Sequence, residues 1–154
     1  MISKKDAEII SHLRNNARKK ITHISREMNI PVTTIYDRVR INENKFVKKH
    51  VTLLDFSKLG LHAKASIAIK VNRDSRETLQ QFLMEHPNVN SLYKTDFGTD
   101  FLAETVFRNT GELMNFQEEL EEKFKVNDIK IFNVIEELKK EDFLTKKEHF
   151  EVLK

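Results

Sequence analysis

The spacing of apolar residues changes along this chain, and this change constrains the fold more than any other feature of the sequence. Over the first forty residues, apolar side chains such as Ile9, Leu13 and Ala17 recur at three- and four-residue steps, which is typical of helices with one buried face. From residue 65 to residue 71 they occupy every second position, which is typical of a half-buried strand. The sequence therefore predicts an α+β chain with a helical N-terminal part.

The N-terminal part is predicted to form three short helices. The first covers residues 6–17. The second follows Thr22, whose hydroxyl can cap a helix, and ends at Asn29, which tolerates the left-handed conformation of a C-cap. A third helix opens at Pro31, because proline is accepted in a first turn.

The second and third helices have the spacing of a helix-turn-helix. Ser25 supplies the small side chain that lets two helices approach, and Asn29 supplies the turn between them. Ile30 and Ile35 are apolar, as expected for positions that face the core. The second helix of this motif presents its outer face to the major groove of DNA. The motif therefore predicts a DNA-binding domain.

The outer face of the third helix carries side chains that can hydrogen-bond to base edges or phosphates. The candidate DNA-binding residues are Thr33, Thr34, Tyr36, Asp37, Arg38 and Arg40. A carboxylate suits DNA less well than the other groups, so Asp37 either accepts from a cytosine amino group or holds Arg38 or Arg40 in position. The alternative for this segment is a three-helix protein-interaction module with a polar surface.

Basic charge is concentrated in the same segment. Residues 1–50 contain 12 Lys and Arg against 5 Asp and Glu, a net charge of +7, whereas the remainder contains 15 and 19, a net charge of −4. This division suits a polyanion-binding head on a separate acidic scaffold, because neutralised phosphates release counterions while an acidic scaffold is repelled by the duplex. Double-stranded DNA is therefore the predicted partner.

The remaining two thirds alternate strands and helices. The alternating segment 65–71 is followed by a helix that starts with Asp74 and Glu77 as a capping box, and Asn109 with Glu112 starts a second helix in the same way. Further strands are predicted at 89–97, 101–108 and 129–135, with the turn 98–100 forming a hairpin. The order βαββαβ predicts a ferredoxin-like domain, in which both helices cover one face of a four-stranded antiparallel sheet.

The opposite face of that sheet is predicted to be apolar as well. Leu102 and Val106 alternate with Phe101 and Ala103 and therefore lie on the uncovered side. Exposed apolar sheet of this kind is normally covered by another copy of the chain, so a homodimer is predicted. The alternative is a monomer whose C-terminal tail covers the sheet.

Composition excludes several classes of chemistry. The chain has no cysteine, which removes disulfides, thiolate zinc sites and cysteine nucleophiles. The six histidines are dispersed without a metal-binding pair, and no phosphate-binding loop or serine-nucleophile motif occurs. We therefore predict no metal, no cofactor and no enzymatic activity. The N-terminus lacks a secretion signal and no apolar run is long enough to span a membrane, so a cytoplasmic location is expected.

The combined pattern resembles the Lrp/AsnC family of transcriptional regulators. The resemblance rests on the helix-turn-helix with Arg38 and Val39 in its recognition helix, on the linker motif Asp55-x-x-Lys58-Leu59-Gly60, and on Gly98-x-Asp100-Phe101 between the central strands. It implies a helix-turn-helix domain at 1–50, a strand linker at 51–62, a ferredoxin-like domain at 63–136 and a C-terminal tail at 137–154. Dimers formed through the ferredoxin-like domains, often assembled into tetramers or octamers, are implied too.

The resemblance also implies a small-molecule effector, an amino acid or related metabolite in many family members. Its contacts would fall at Gly98, Thr99 and Asp100, where glycine permits close backbone approach and the carboxylate can pair with an amino group. Glycine and aspartate are equally ordinary hairpin residues, so a purely structural role for this turn is the alternative. Two other functions stay open: a decarboxylase of the sirohaem type, which resembles the same architecture, and a protein-interaction adaptor.

Four positions depart from the family pattern. Asn42 and Phe46 stand at the end of the recognition helix and in its exit turn, where leucine and glycine are usual. Pro31 replaces the usual N-cap hydroxyl, and Ser25 replaces the usual alanine.

Overall fold

The computed structural model describes residues 2–153, and the chain divides into two units. The helical unit combines the residues up to Leu53 with those from Leu138 onward, and the sheet unit spans Leu54–Glu137. The predicted α+β fold class, helices first and a ferredoxin-like domain second, is confirmed. None of the helices within residues 2–153 combines the length and the apolar character needed to cross a membrane.

The helical unit contains three helices, as predicted. They are α1 (Lys4–Asn15), α2 (Ile21–Met28) and α3 (Val32–Phe46). Ser3 caps α1 by accepting a hydrogen bond from the backbone N–H of Asp6, which satisfies one of the free amides of the first turn. Asn29 ends α2 in the left-handed conformation, with φ 54°, which confirms the prediction for this turn residue.

The predicted N-cap of the second helix is wrong by two residues. The helix begins at Ile21, and Lys20 is its N-cap without a side-chain hydrogen bond, so Thr22 lies within the first turn. The backbone carbonyl of Lys20 accepts the first helical hydrogen bonds. Because Ile21 packs against the core of the unit, burial of this side chain favours the earlier start over a hydroxyl cap.

The helices enclose a small apolar core. Its buried members are Ile9, Ile24, Ile35 and Val39. Ser25 is buried in α2, and its hydroxyl donates to the carbonyl oxygen of Ile30 in the α2–α3 turn at 2.6 Å. The small side chain expected at this position therefore also closes the turn with a hydrogen bond.

The sheet unit has the predicted βαββαβ order. Its elements are β1 (Ala63–Val71), α4 (Arg76–Glu85), β2 (Val89–Lys94), β3 (Phe101–Phe107), α5 (Thr110–Lys123) and β4 (Val126–Asn133). The strands lie in the order β2-β3-β1-β4, and all neighbours are antiparallel. A larger core fills the space between sheet and helices, with Ile67, Leu79, Phe101 and Leu120 among its buried side chains.

One predicted helix start in this unit is confirmed and one is wrong. Asn109 accepts from the backbone N–H of Glu112 at 3.0 Å, and the Glu112 carboxylate accepts from the backbone N–H of Arg108 at 3.0 Å, so the predicted capping box starts α5. Asp74 makes no such cap: it lies in a 3-10 turn, Arg73–Ser75, and α4 begins only at Arg76. The turn absorbs the residues that would have formed the first helical turn.

Strand boundaries differ from the predictions at several places, by one or two residues for β1 and β3 and by more elsewhere. β2 stops at Lys94 because Phe97 adopts a left-handed conformation, with φ 53°, and starts the turn early. β4 runs three residues further towards the N-terminus than predicted and ends at Asn133. The predicted strand linker over 51–62 contains no strand, only a 3-10 turn at Ser57–Leu59. A strand needs a neighbour for its backbone groups, and among the backbone hydrogen bonds of the described residues only that of His62 with Arg108 joins this segment to the sheet.

Candidate nucleic-acid interface and effector turn

Helix α3 has a buried side and a polar side, and most of the candidate DNA-binding residues lie on the polar side. Ile35, Val39 and Asn42 form its buried side. Five of the six candidates are exposed on the remaining surface, whereas the sixth, Arg38, is half-buried. The exposed candidates are Thr33, Thr34, Tyr36, Asp37 and Arg40. The helical unit therefore presents a polar face of α3 that lies beside the motif's turn and is free of core contacts.

Arg38 is tied to the start of α1. Its Nη1 lies 2.9 Å from Oδ1 of Asp6, and Asn42 Nδ2 donates to the same oxygen at 3.1 Å. Ser3 donates its hydroxyl to the other carboxylate oxygen. The partner of Arg38 is therefore Asp6 rather than the neighbouring Asp37, which had been one of the alternatives for that residue.

This arrangement, which we call the Asp6 brace, joins Asp6, Arg38 and Asn42 and connects α1 to α3. Partial burial by itself would raise the pKa of Asp6, but the hydrogen bonds from Ser3, Asn42 and Arg38 outweigh it and lower that pKa. Asn42 is 1% exposed, which explains a polar residue where the family usually has leucine. Sequence reasoning missed the brace, although a buried-face asparagine in the Ile35/Val39 stripe was a visible signal.

A second polar cluster occupies the other side of α1. Lys19 Nζ lies 2.6 Å from Glu27 Oε2 and 3.1 Å from His12 Nδ1. His12 Nε2 is buried without a partner among the described residues. Burial and the neighbouring Lys19 lower the pKa of His12. One lysine of the basic run 18–20 is therefore engaged within the unit, while Arg18 and Lys20 stay exposed.

Asp100 of the predicted effector turn is bonded to other residues of the sheet unit. Asp100 Oδ1 pairs with Arg76 Nη2 at 2.7 Å, and its Oδ2 accepts from the backbone N–H of Val71 at 3.0 Å. The Asp100 side chain is only 15% exposed. The carboxylate expected to bind an effector amino group thus already joins β1, β3 and α4, and sequence reasoning missed its partner Arg76, which no local pattern marks.

The rest of the turn is more open. Gly98 adopts a φ of +112° and has no atom within 4 Å of the position that a Cβ would take. Thr99 is half-buried, and its hydroxyl lies 2.8 Å from that of Thr95. Phe97 is fully exposed next to them. The structure therefore brings an accessible backbone at Gly98 close to a carboxylate–guanidinium pair, the polar groups that a zwitterion requires.

A separate cleft of about 510 Å³ lies between α5 and the ends of α4 and β3. His86 lines it, with its ring 4.6 Å from that of Phe116 and its Nδ1 accepting from the backbone N–H of Asn88. Burial lowers the pKa of His86. None of the predicted effector residues lines this cleft. Within residues 2–153, no three His, Asp or Glu side chains are grouped closely enough to hold a metal ion.

The sheet face opposite the helices carries an apolar patch that is interrupted by polar side chains, among them Lys64, Ser66 and Glu104. The strand register places Tyr93 opposite Leu102 and Phe132 opposite Ser66 on this side. Leu102 and Val106 are half-buried, whereas Phe132 is 56% exposed. The two residues predicted to lie on the uncovered side of β3 therefore do so, and they are joined by aromatic residues from both edge strands.

Comparison with known proteins agrees with this architecture. The HTH-type transcriptional regulator FL11 of Pyrococcus horikoshii is 28% identical over 112 residues, which cover 72% of this chain and 74% of that protein. The glutamate uptake regulatory protein of Zymomonas mobilis is 26% identical over 138 residues, covering 87% of this chain and 84% of that protein. Both are similar along most of their length.

Solved structures share the fold. The transcriptional regulator NMB0573 of Neisseria meningitidis, solved in complex with L-Met, superposes with a TM-score of 0.83 at 22% identity, covering 91% of this chain and 94% of that chain. AsnC of E. coli gives a TM-score of 0.79 at 15% identity, covering 91% and 96%. Residues 64–143, just over half of the sequence, match the Lrp/AsnC ligand-binding domain. With this match and with its helix-turn-helix, the chain belongs to the Lrp/AsnC family of transcriptional regulators.

Proposed function

We propose that this regulator binds double-stranded DNA through the exposed face of α3. The observation that carries the proposal is the division of α3 into a buried side and a polar side that no other part of the helical unit covers. Thr33 and Thr34 lie in the first turn of α3, where backbone amides and the helix dipole favour a phosphate. Tyr36 and Arg40 lie one turn apart further along the helix and can reach base edges or the backbone.

Arg38 has a different proposed role from its neighbours. Its guanidinium is held by the Asp6 brace, and 36% of the side chain stays exposed. We propose that it mainly positions α3 against α1. Asp37 is exposed and would bring a negative charge close to DNA, so it would act against non-specific binding.

We further propose a homodimer formed through the apolar patch on the open sheet face. Pairing two such patches would bury Tyr93, Leu102, Val106 and Phe132, which otherwise leave large apolar side chains in contact with water. A two-fold axis would also repeat α3 once for each copy. Two recognition helices then suit a pseudo-palindromic site with half-sites about 34–36 Å apart. Tetramers or octamers built from such dimers belong to the same proposal.

An amino acid is the proposed effector, bound at the turn that contains Gly98, Thr99 and Asp100. L-Met in the complex of NMB0573 is an amino acid of this kind. The open space over Gly98 would admit the ligand backbone, and its charged groups would compete for the Asp100–Arg76 pair. No part of this role requires catalysis or a cofactor. The protein would act where the chromosome is, which we take to be the cytoplasm.

Selection of bound fragments from random duplex DNA tests the DNA-binding proposal. We expect a pseudo-palindromic consensus, with affinity that falls steeply as salt rises. Arg40→Ala should weaken binding to the selected site by about 1–3 kcal/mol. Arg73→Ala is the matched control, because it removes the same charge from an exposed position in the sheet unit. Equal losses for the two variants would contradict recognition by α3.

A further inference from the structure

The C-terminal segment of this chain is docked along α1. We call residues 138–153 the strap. Three of its main-chain carbonyls accept hydrogen bonds from α1. Ser11 Oγ and Asn15 Nδ2 donate to the carbonyl oxygen of Thr145 at 3.0 and 2.7 Å. Arg14 donates from Nε to the carbonyl of Phe143 at 3.0 Å and from Nη2 to that of Glu141 at 2.6 Å. Side chains of α1 therefore recognise the strap by its backbone.

One ion pair is formed at each end of the contact between α1 and the strap. Arg14 lies 3.2 Å from the Glu141 carboxylate, and Lys147 Nζ lies 3.0 Å from Glu8 Oε1. Leu144 lies between them and is 8% exposed, and Ser11 on α1 is equally buried. A polar anchor at each end and a buried leucine in the middle are typical of a specific docking contact rather than of a loose tail.

The strap holds an unusual backbone shape in this position. Glu141 and Leu144 adopt φ angles of 50° and 65°, a conformation that side-chain-bearing residues rarely take. Thr145 Oγ1 donates to the backbone carbonyl and to the carboxylate of Asp142, and Lys139 pairs with that carboxylate. Hydrogen bonds from Lys139 and Thr145 lower the pKa of Asp142. Local bonds and docking together compensate for the strained backbone.

The helical unit has a small core, so docking of the strap should add to its stability. Its core cluster has four buried side chains among the described residues, and a three-helix domain of about fifty residues is marginally stable. α1 contacts the strap through Arg14 and contacts α3 through the Asp6 brace. Loss of strap docking would therefore affect α1 directly and, through α1, the recognition helix α3.

We propose that the strap is a docking partner of α1 that the DNA-binding unit requires, so that DNA affinity depends on residues that follow the ferredoxin-like domain. The inference rests on the proposed DNA binding by α3. An undocked strap leaves α1 and α3 less firmly held and lowers the fraction of molecules competent to bind, and apparent affinity falls with that fraction. The strap follows β4 along the chain with residues 134–137 between them, and its contact with α1 is non-covalent.

Charge-conserving substitutions in the full-length chain test the inference. Arg14→Lys keeps the charge but cannot reproduce a planar fork that reaches two carbonyls and a carboxylate. Its control is Arg18→Lys, an exposed arginine three residues beyond the end of α1. We expect Arg14→Lys to weaken duplex binding by about threefold and to increase amide hydrogen exchange in α1, while the control changes neither.

A second pair acts from the strap side. Leu144→Asp introduces a charge at a buried position, whereas Leu138→Asp introduces the same charge at a position that is 86% exposed. We expect a loss of duplex affinity of about tenfold for Leu144→Asp and little change for the control. In the double variant, Arg14→Lys should add nothing to Leu144→Asp, because the contact is already lost.

The outcomes separate this inference from the proposed function. Duplex binding by the unmodified protein together with fully additive effects of the two substitutions would overturn the role of the strap while leaving DNA binding intact. Unchanged α1 exchange in Leu144→Asp would overturn it as well, because docking would then not hold the helix. Failure of the unmodified protein to bind any selected duplex would instead contradict the proposed function.

Discussion

The helical unit and the sheet unit of this protein are held together by different interactions. Among the described residues, the sheet unit has eleven buried side chains in its core cluster and the helical unit has four. The helical unit adds polar contacts between residues far apart in sequence, such as Asp6 with Arg38 and Arg14 with Glu141. The comparison indicates that the helical unit depends on polar contacts to supplement a small core, whereas the sheet unit depends mainly on apolar burial, with Asp100–Arg76 as a long-range ion pair.

The largest expected effect comes from the apolar core of the sheet unit. Leu120→Ala removes a fully buried side chain and should lower the free energy of unfolding by about 2–5 kcal/mol, measured by urea denaturation. Met114→Ala on the same helix is the control, because that side chain is 57% exposed. A similar loss in both variants would show that burial in this core does not dominate the stability of the unit.

The Asp6 brace should have the next largest effect. Asp6→Asn removes the charge that Arg38 and Asn42 share, and we expect the helical unit to lose about 1–2 kcal/mol of stability, because the partners are only partly screened by solvent. Asp37→Asn removes an exposed carboxylate from the same surface and serves as the control. Thermal denaturation followed by helix circular dichroism measures both. Unchanged thermal stability of Asp6→Asn would contradict the conclusion that polar contacts stabilise the helical unit.

Acid should destabilise both units through half-buried histidines. Burial lowers the pKa of His12 in the helical unit and of His86 in the sheet unit below the usual 6.5. The unfolded chain therefore takes up protons first as the pH falls below 6.5, and the free energy of unfolding declines until the pH passes the lowered pKa values. His12→Gln should remove this decline from the helical unit alone, as shown by unfolding curves at pH 7.5 and pH 5.5.

A further loss in acid is expected in the helical unit. The lowered pKa of Asp6 stabilises the folded state above pH 3.8, and this contribution disappears as the pH falls from 3.8 through the lowered value. Asp6→Asn should reduce this loss of stability in acid and leave the part that comes from Glu27 and Asp142, whose pKa values are also lowered by hydrogen bonds. An unchanged loss in that variant would contradict the contribution of Asp6.

The smallest effect is expected for an exposed ion pair in the sheet unit. Lys123 pairs with Glu119 one turn earlier on α5, and both side chains are more than a third exposed. Lys123→Ala should change stability by about 0.3–0.5 kcal/mol, and added salt should abolish the difference. A larger effect in denaturant titrations would mean that charge matters in the sheet unit as much as in the helical unit.

Local signals in the sequence predicted much of the fold. Asn29 ends α2 and Asn109 with Glu112 starts α5 because the required partners lie within a few residues. The two-residue alternation from 65 to 71 identified a strand with one buried face, and its order among the other elements predicted the ferredoxin-like sheet. Boundaries were less predictable, since the start of α2 depends on how Ile21 packs and the end of β2 on the backbone of Phe97.

The sequence predicted which residues of α3 are candidates for DNA binding, but not which distant residues the site residues contact. The six polar positions on α3 follow from helical spacing, but the pairing of Arg38 with Asp6 spans 32 residues and that of Asp100 with Arg76 spans 24. No sequence pattern around an arginine indicates which distant carboxylate it pairs with. Docking of the strap on α1 joins residues about 130 apart and was out of reach for the same reason.

Photocrosslinking tests the central claim, that α3 faces the DNA, most directly. The two tyrosines provide a matched pair, because Tyr36 on α3 is 56% exposed and Tyr93 on β2 is 49% exposed. Each is replaced in turn by benzoylphenylalanine, and the complex with a selected duplex is irradiated. A crosslink to DNA from position 36 and none from position 93 is the predicted result. A crosslink from position 93 alone would contradict the account.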